Sequence, residues 1–283
     1  MRVLIAGCGY VGSELARRLG AEGDDVFGLR RRPEGLPPGV KAIAADLSDP
    51  ASLRGLPDAL DAVVYAVAAD AFDDGAYRAA YVDGLRNLLA ALDQGGSRPG
   101  RVVYTSSTAV YAQSAGEWVD ESSATEPTGF SGQRVLEGER MLLGAGLPAT
   151  VLRLGGIYGP GRTRLVESVR SGRAVVRAGE PLYTNRIHRD DAAGAIAHLL
   201  RLPAPLPLYL GVDREPADET VVLRWLAKQL GVAPPAVAPE DVAPGARRPR
   251  GSKRCANDRL LASGYSFSWP TFREGYAALL AAA

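Results

Sequence analysis

Three glycines near the start of the chain limit what it can fold into more than any other feature. Gly7-Cys8-Gly9-Tyr10-Val11-Gly12 is a G-x-G-x-x-G run. It follows the apolar segment Arg2–Ala6 and opens a stretch with helical spacing from Val11 to Leu19. In a strand–turn–helix unit each glycine has its own reason. The first permits the tight turn, the second lets backbone approach a pyrophosphate, and the third lets the helix pack close to the strand. The helix N-terminus then attracts the anion. A glycine-rich turn that binds nothing is the alternative, and it leaves this placement unexplained.

The rest of the first half keeps the same rhythm. Strand-length runs at Asp25–Arg30, Val40–Ala44, Ala62–Val67, Arg101–Ser106 and Ala149–Leu154 alternate with helical spacing at Tyr77–Leu92 and Val135–Leu143. Strands that alternate with helices predict parallel βαβ units buried on both faces. The fold class is therefore α/β, a Rossmann-type doubly wound parallel sheet with a smaller C-terminal substrate lobe. Residues 1–155 plus about 184–212 are assigned to the dinucleotide-binding domain, and 156–183 plus 213–283 to the smaller lobe. In that lobe Asp218 is the expected N-cap of a helix through Leu230, and a last helix covers Thr271 to Leu280. The Pro-rich stretch Ala233 to Arg250 reads as a long surface loop.

Composition narrows the partners. A net charge of +1 gives no pull toward nucleic acid or an anionic membrane. Cys8 and Cys255 form no metal or disulfide pattern, and no apolar run is long enough to span a bilayer. The expectation is a cytoplasmic protein with a small-molecule substrate, no metal, no nucleic acid and no membrane.

The second strand bears on the cofactor. NAD-specific folds end it with Asp or Glu, which holds the ribose hydroxyls. Here Val26-Phe27-Gly28-Leu29 runs into Arg30, Arg31 and Arg32. A guanidinium grips a 2′-phosphate that a carboxylate would repel, so NADP(H) is favoured over NAD(H). Asp46 and Leu47 are placed to meet the adenine end. Ala66, Val67 and Ala68 are small enough to pass the pyrophosphate and ribose. Each of these five also has a plain turn or core reading.

Longer motifs then align. Tyr81–Leu89, Val103–Tyr111, Leu152–Gly161 and Ile187–Asp191 resemble the N-V-x-G-T-x-N-L-L, S-S-x-x-V-Y-G, R-x-x-x-x-Y-G-P-G and V-H-V-x-D segments of one group. The chain resembles the extended short-chain dehydrogenase/reductases, in the NAD-dependent epimerase/dehydratase group, nearly end to end. Its tail, from Lys253 to Tyr265, is similar to an atypical branch. The resemblance implies a Tyr-x-x-x-Lys pair, whose Lys⁺ brings a phenol that titrates near ~10 closer to working pH.

No Tyr-x-x-x-Lys occurs: Lys41, Lys228 and Lys253 have Pro37, Arg224 and Pro249 four residues before them. Alignment of Pro127–Gly132 with the family's P-x-x-x-Y-G puts Ser131 at the Tyr, Val135 at the Lys and Glu139 at the following Glu. A shift of one residue offers Phe130 and Arg134. Candidate catalytic residues are accordingly Ser107, Tyr111 and Ser131, while His198 reads as structural. Arg153, Arg162, Arg186 and His188 are candidates to line the cleft and hold an anionic substrate, each with a structural alternative. Arg247, Arg248, Arg250, Lys253 and Arg254 either close over an anionic ligand or form a solvated loop. Two functions stay open: an NADP(H)-dependent oxidoreductase or epimerase/dehydratase with an atypical proton donor, and a catalytically silent NADP(H)-binding sensor. The family dimerises through helices that fall here at Tyr77–Leu92 and Ser131–Leu143, and monomer and homodimer both remain open.

Overall fold

Seven strands form one parallel sheet because their residues are apolar on both faces. They are β1 (Arg2–Ala6), β2 (Asp25–Arg30), β3 (Lys41–Ala44), β4 (Ala62–Tyr65), β5 (Arg101–Ser107), β6 (Ala149–Leu154) and β7 (Leu208–Gly211). The computed structural model describes residues 1–238 and 251–282. The strand order is β3-β2-β1-β4-β5-β6-β7, which reverses direction between β1 and β4. Ligands bind such a sheet outside the carboxyl ends of its strands, at that reversal.

Alternation along each strand feeds two cores. Val3, Ile5, Ala62, Val64 and Val103 face helices α1 (Tyr10–Ala21) and, further along the chain, Arg189–Arg201. Leu4, Ala6, Val63, Tyr65, Val102 and Tyr104 face α2 (Gly84–Gln94) and the end of α3 (Phe130–Leu143). With Arg189–Arg201 as α4, the remaining long helices are α5 (Glu219–Leu230) and α6 (Phe272–Ala281). These last two, with Tyr158, Val166, Val169 and Val176, enclose a third core away from the sheet. Asp218 caps α5 through the Thr220 amide at 3.2 Å, as expected. Thr271 and Glu274 close a capping box on α6.

The structure departs from the sequence reading in three places. The predicted helix Tyr77–Leu92 is interrupted: Asp74–Arg78 is α-helical and Ala79–Asp83 is a π-turn before α2 begins. The phenols of Tyr65 and Tyr104 donate to the carbonyls of Ala80 at 2.5 Å and Tyr81 at 3.4 Å. A wider turn frees carbonyls, and these two tyrosines satisfy them. Second, α3 starts at Phe130 rather than Val135, so Ser131 lies in its first turn. Third, Ala236–Ala238, within the predicted loop, is a strand parallel to Val175–Arg177. The rest of that loop, with Arg247, Arg248 and Arg250, falls outside the described residues.

Glycines set how closely α2 and α3 approach the sheet. A Cβ on Gly138 would stand 2.3 Å from the Tyr81 carbonyl and 2.5 Å from the Tyr104 phenol oxygen. On Gly20, in α1, it would meet nothing within 4 Å. Gly138→Ala should therefore destabilise by about 1–3 kcal/mol through overpacking. Gly20→Ala should stabilise by about 0.5–1 kcal/mol through helix propensity. Urea unfolding of the two variants checks the opposite signs.

Candidate functional site

The phosphate loop has the geometry its glycines imply. Gly7 sits at φ +84°, and a Cβ there would lie 2.7 Å from the Ala66 carbonyl carbon. On Gly12 it would lie 2.7 Å from the Gly7 oxygen. Gly9 differs: its nearest neighbour would be that same oxygen at 3.9 Å, so its outer face is open. The amides of Gly7 and Cys8 donate to Leu29 O at 3.0 and 3.1 Å, which ties the loop to the end of β2. Gly9 caps α1 with no side-chain hydrogen bond, and no acidic residue lies in the first turn. An open backbone cradle at an uncapped helix N-terminus fits a dinucleotide pyrophosphate.

The remaining cofactor candidates gather around this loop at the ends of β1 to β4. Ala66 and Val67 back directly onto Gly7. Tyr10 begins α1, and its phenol donates to Pro160 O at 2.8 Å. The Arg162 guanidinium lies 4.0 Å over the Tyr10 ring. Arg30 is half-buried, and exposed Arg31 pairs with Asp70 at 2.7 Å. Asp46 accepts the amide and hydroxyl of Ser48 at 2.9 and 2.7 Å, which holds its carboxyl below the usual range. Asn87 of α2 donates to Leu47 O at 2.8 Å.

A second polar cluster is built around the end of β5, where the candidate catalytic residues lie. Ser107 caps the short turn Thr108–Val110, accepting the Ala109 amide at 3.1 Å. Its neighbour Ser106 is buried and donates to Glu139 of α3. Glu139 holds Arg153 of β6 in a bidentate pair at 2.9 and 2.7 Å. Arg153 also donates to the Tyr111 phenol oxygen at 2.8 Å, and that phenol donates to Asp120 O at 2.7 Å. Burial pushes the Tyr111 phenol up to about 12, against the opposing pull of Arg153. Arg153 and Tyr111 thus form one buried network with Glu139.

At the start of α3 the positions aligned with the family's Tyr and Lys are spoken for in other ways. Ser131 is half-buried and Val135 is core. In the shifted register, the Phe130 ring packs on Phe72 and Tyr77 at centroid distances of 4.9 and 5.4 Å. Arg134 grips Asp74 through two hydrogen bonds, at 2.7 and 2.9 Å.

His188 caps α4, its Nδ1 accepting the Asp190 amide at 3.2 Å, and burial lowers its pKa. Its ring is wedged between Tyr158 and Trp269. Arg186 is buried as well and donates to the Thr184 hydroxyl. Its Nη1, the Asp213 Oδ2 and the Tyr158 phenol oxygen are buried without a hydrogen-bond partner among the described residues. His198 is structural, with Nε2 2.9 Å from the Ser263 hydroxyl.

Asn185, which the motifs did not single out, ties the C-terminal strand in place beside Lys253 and Arg254 of the basic run. Asn185 donates to Lys253 O at 3.0 Å and accepts the Cys255 amide at 2.8 Å. Lys253, read as part of a basic run, is buried in the strand Ser252–Cys255. Arg254 beside it stacks between Trp118 and Tyr183 at 5.1 and 4.7 Å. The partner strand of Ser252–Cys255, Ala115–Val119, lies far away in sequence, so no local signal marked Lys253 as buried.

The profile of the NAD-dependent epimerase/dehydratase family matches residues 3–207. A 3-diazoavenalumate denitrifying reductase of a Streptomyces species is 28% identical, over 97% of this chain and 99% of its own. The protein YeeZ of Escherichia coli K12 is 34% identical over 48% of each chain. Among solved structures, a putative NAD-dependent epimerase/dehydratase of Methylobacillus flagellatus superposes with TM-score 0.82 at 41% identity, covering 99% and 98% of the two chains. The human epimerase family protein SDR39U1 with NADPH gives TM-score 0.80 at 23% identity, covering 97% of each chain. The UDP-glucose 4-epimerase of Thermus thermophilus, with NAD, gives 0.78 at 25%, covering 97% of this chain and 96% of its own. No described helix is long and apolar enough to cross a membrane.

The open face of Gly9 and the buried Asp213 each yield a prediction. Gly9→Ala should leave stability within about 0.5 kcal/mol, as a surface substitution does. It should also weaken dinucleotide binding at least about tenfold, because its methyl fills the pyrophosphate's approach. Calorimetric titration beside thermal unfolding measures both. Burial pushes the Asp213 carboxyl up to about 7. An unfolded chain releases that proton near ~3.9, so between the two values the unfolded state binds fewer protons and stability falls as pH rises. Asp213→Asn should flatten the decline and gain on the order of 2–4 kcal/mol at pH ~8 relative to pH ~4, read by urea unfolding at both.

Proposed function

The chain belongs to the NAD-dependent epimerase/dehydratase family, and from that premise we propose that it is an NADP(H)-dependent reductase of a small, anionic substrate, working without a Tyr-x-x-x-Lys pair. One observation carries this: the phosphate loop is open and binding-ready, while the start of α3 offers Phe130, Ser131, Arg134 and Val135 where a phenol and an ammonium would stand. Epimerisation and dehydration begin by oxidising an alcohol, which needs a base to take the hydroxyl proton. Reduction of an electrophilic acceptor needs only a proton source. The Streptomyces relative named as a reductase spans the whole chain, which supports the reductive direction.

The chain's own residues divide the work. Gly7, Gly9, Gly12 and the N-terminus of α1 would hold the pyrophosphate, with Ala66, Val67 and Ala68 along its path. Arg30 and Arg31 would hold a 2′-phosphate, with Asp70 giving up its pairing to Arg31. The bound nicotinamide supplies a hydride. Ser107, at the end of β5, would hydrogen-bond the acceptor, with Ser131 in the first turn of α3 as a second hydroxyl. Arg162, over Tyr10, is the exposed cation to meet a substrate anion. Arg153, Arg186, His188 and Tyr111 would support the walls from beneath.

Calorimetry with NADPH, NADP⁺, NADH and NAD⁺ tests the cofactor half. The expected result is at least a tenfold preference for the phosphorylated forms, abolished in the Arg30→Ala, Arg31→Ala double variant. Equal affinity for NADH overturns that preference. Tight NADPH binding with no oxidation by any aldehyde, ketone or quinone acceptor would leave a dinucleotide-binding sensor in place of the reductase.

A further inference from the structure

Of the three lysines in the chain, Lys41 and Lys228 are exposed and Lys253 is 8% exposed. Lys41 has an ordinary surface partner, Asp25, at 2.7 Å. Lys253 instead donates its Nζ to the backbone carbonyl of Tyr111 at 3.0 Å. An ammonium carries three donors, and a buried one is costly unless they are used. Glu117, its register partner on the neighbouring strand, is turned to the Ala115 amide at 2.8 Å. The position is thus poor as a structural salt bridge and well suited to a group that meets a ligand.

Its surroundings place it near the carboxyl ends of β5 and β6. Tyr111 ends the turn that Ser107 caps at the end of β5. From the other side, α3 presses on the same turn: a Cβ on Gly132 would stand 2.4 Å from the Ala109 carbonyl oxygen. Asn185 clamps the backbone on either side of Arg254, and its own carbonyl accepts the Gly156 amide at 2.9 Å just past β6. Lys253 therefore stands between the ends of β5 and β6, across the turn from Ser131, at the end of the sheet where such folds bind ligands.

We propose that Lys253 is a catalytic residue that gives the substrate its proton, in place of the missing phenol and its lysine; this rests on the reductase reading above. In the step, the acceptor carbonyl carbon gains a hydride from reduced nicotinamide and forms a C–H bond. The π pair moves to oxygen, and the oxygen takes a proton from the Lys253 ammonium. The products are an alcohol, oxidised nicotinamide and a neutral amine, which regains its proton from water. Burial lowers the Lys253 pKa, while the Cys255 thiol and the Glu117 carboxylate that face it pull the other way. A less basic amine is a readier donor near neutral pH.

Two measurements test this. The first is reductive methylation of the full chain with isotope-labelled formaldehyde and cyanoborohydride, with sites read by mass spectrometry. A lysine that opens to the cleft with a lowered pKa is methylated near neutral pH ahead of Lys41 and Lys228, and is protected by NADP⁺. A Lys253 left unmodified while the other two react fully is a sealed structural amine, and the proposal falls. The second compares wild type with Lys253→Met and Lys253→Arg for NADPH oxidation by a panel of aldehydes and quinones. Both variants should lose roughly 10²–10⁴ in kcat with NADPH affinity unchanged, and the wild-type rate should fall on the alkaline side of its pH profile. Arginine keeps the charge and the bond to Tyr111 but cannot release a proton, so a purely structural role would survive in Lys253→Arg. Variant rates within about threefold of wild type sink the role of Lys253 alone. A wild-type protein that reduces nothing sinks the reductase reading, and the role of Lys253 with it.

Discussion

The buried pair between Glu139 and Arg153 fixes the parts of the molecule on which the substrate side depends. Side-chain exposure is 2% for the carboxylate and 6% for the guanidinium. The two join α3 to β6, Ser106 joins them to β5, and the Tyr111 phenol joins them to the loop beyond. Such a pair adds little over well-packed apolar side chains, but losing one member leaves an uncompensated charge worth roughly 3–5 kcal/mol. The network therefore acts as a register pin. It decides where the first turn of α3 stands against the end of β5 and the turn that Ser107 caps.

The cofactor side obeys the opposite logic. There the structure works by leaving atoms out: a side chain at Gly7 or Gly12 would strike backbone, and one at Gly9 would fill open space. Its attraction for an anion comes from helix amides and from arginines at the end of β2. The two sides meet along one sheet but are built on different strands. A change of chemistry at β5, β6 and the C-terminal strand can thus proceed while the dinucleotide cradle stays as it is. Family membership on that account fixes the cofactor class more firmly than the reaction.

What was legible in the sequence follows the same division. Local periodicity and the spacing of three glycines are short-range signals, and they placed six strands and the phosphate loop within a few residues. Capping is also short-range, and Asp218 and Thr271 carry it openly. The π-turn at Ala79–Asp83 was not legible, since the tyrosines that satisfy it come from β4 and β5. Arg153 and His188 read as cleft residues because their motifs border the cleft; their burial depends on Glu139, Tyr158 and Trp269, which are distant in sequence. Lys253 was hidden for the same reason: charge alone suggested a run that closes over an anion or is solvated, and only pairing with Ala115–Val119 places it in a buried strand.

These long-range ties explain how the fold tolerates an unusual start to α3. The helix is held by Gly132 against the Ala109 carbonyl, by Gly138 against Tyr81 and Tyr104, and by Glu139 against Arg153. None of these contacts uses the side chain of residue 130, 131 or 134. Val135 adds only an apolar body to the core it shares with Val110 and Leu210. A phenol and an ammonium could be absent here without moving the helix, because the glycines and Glu139 set its position against the sheet. The burden of proton supply would then fall to whatever else reaches the rim. The C-terminal strand contributes one such buried, ionisable hydrogen donor, the Lys253 ammonium held by the Tyr111 carbonyl.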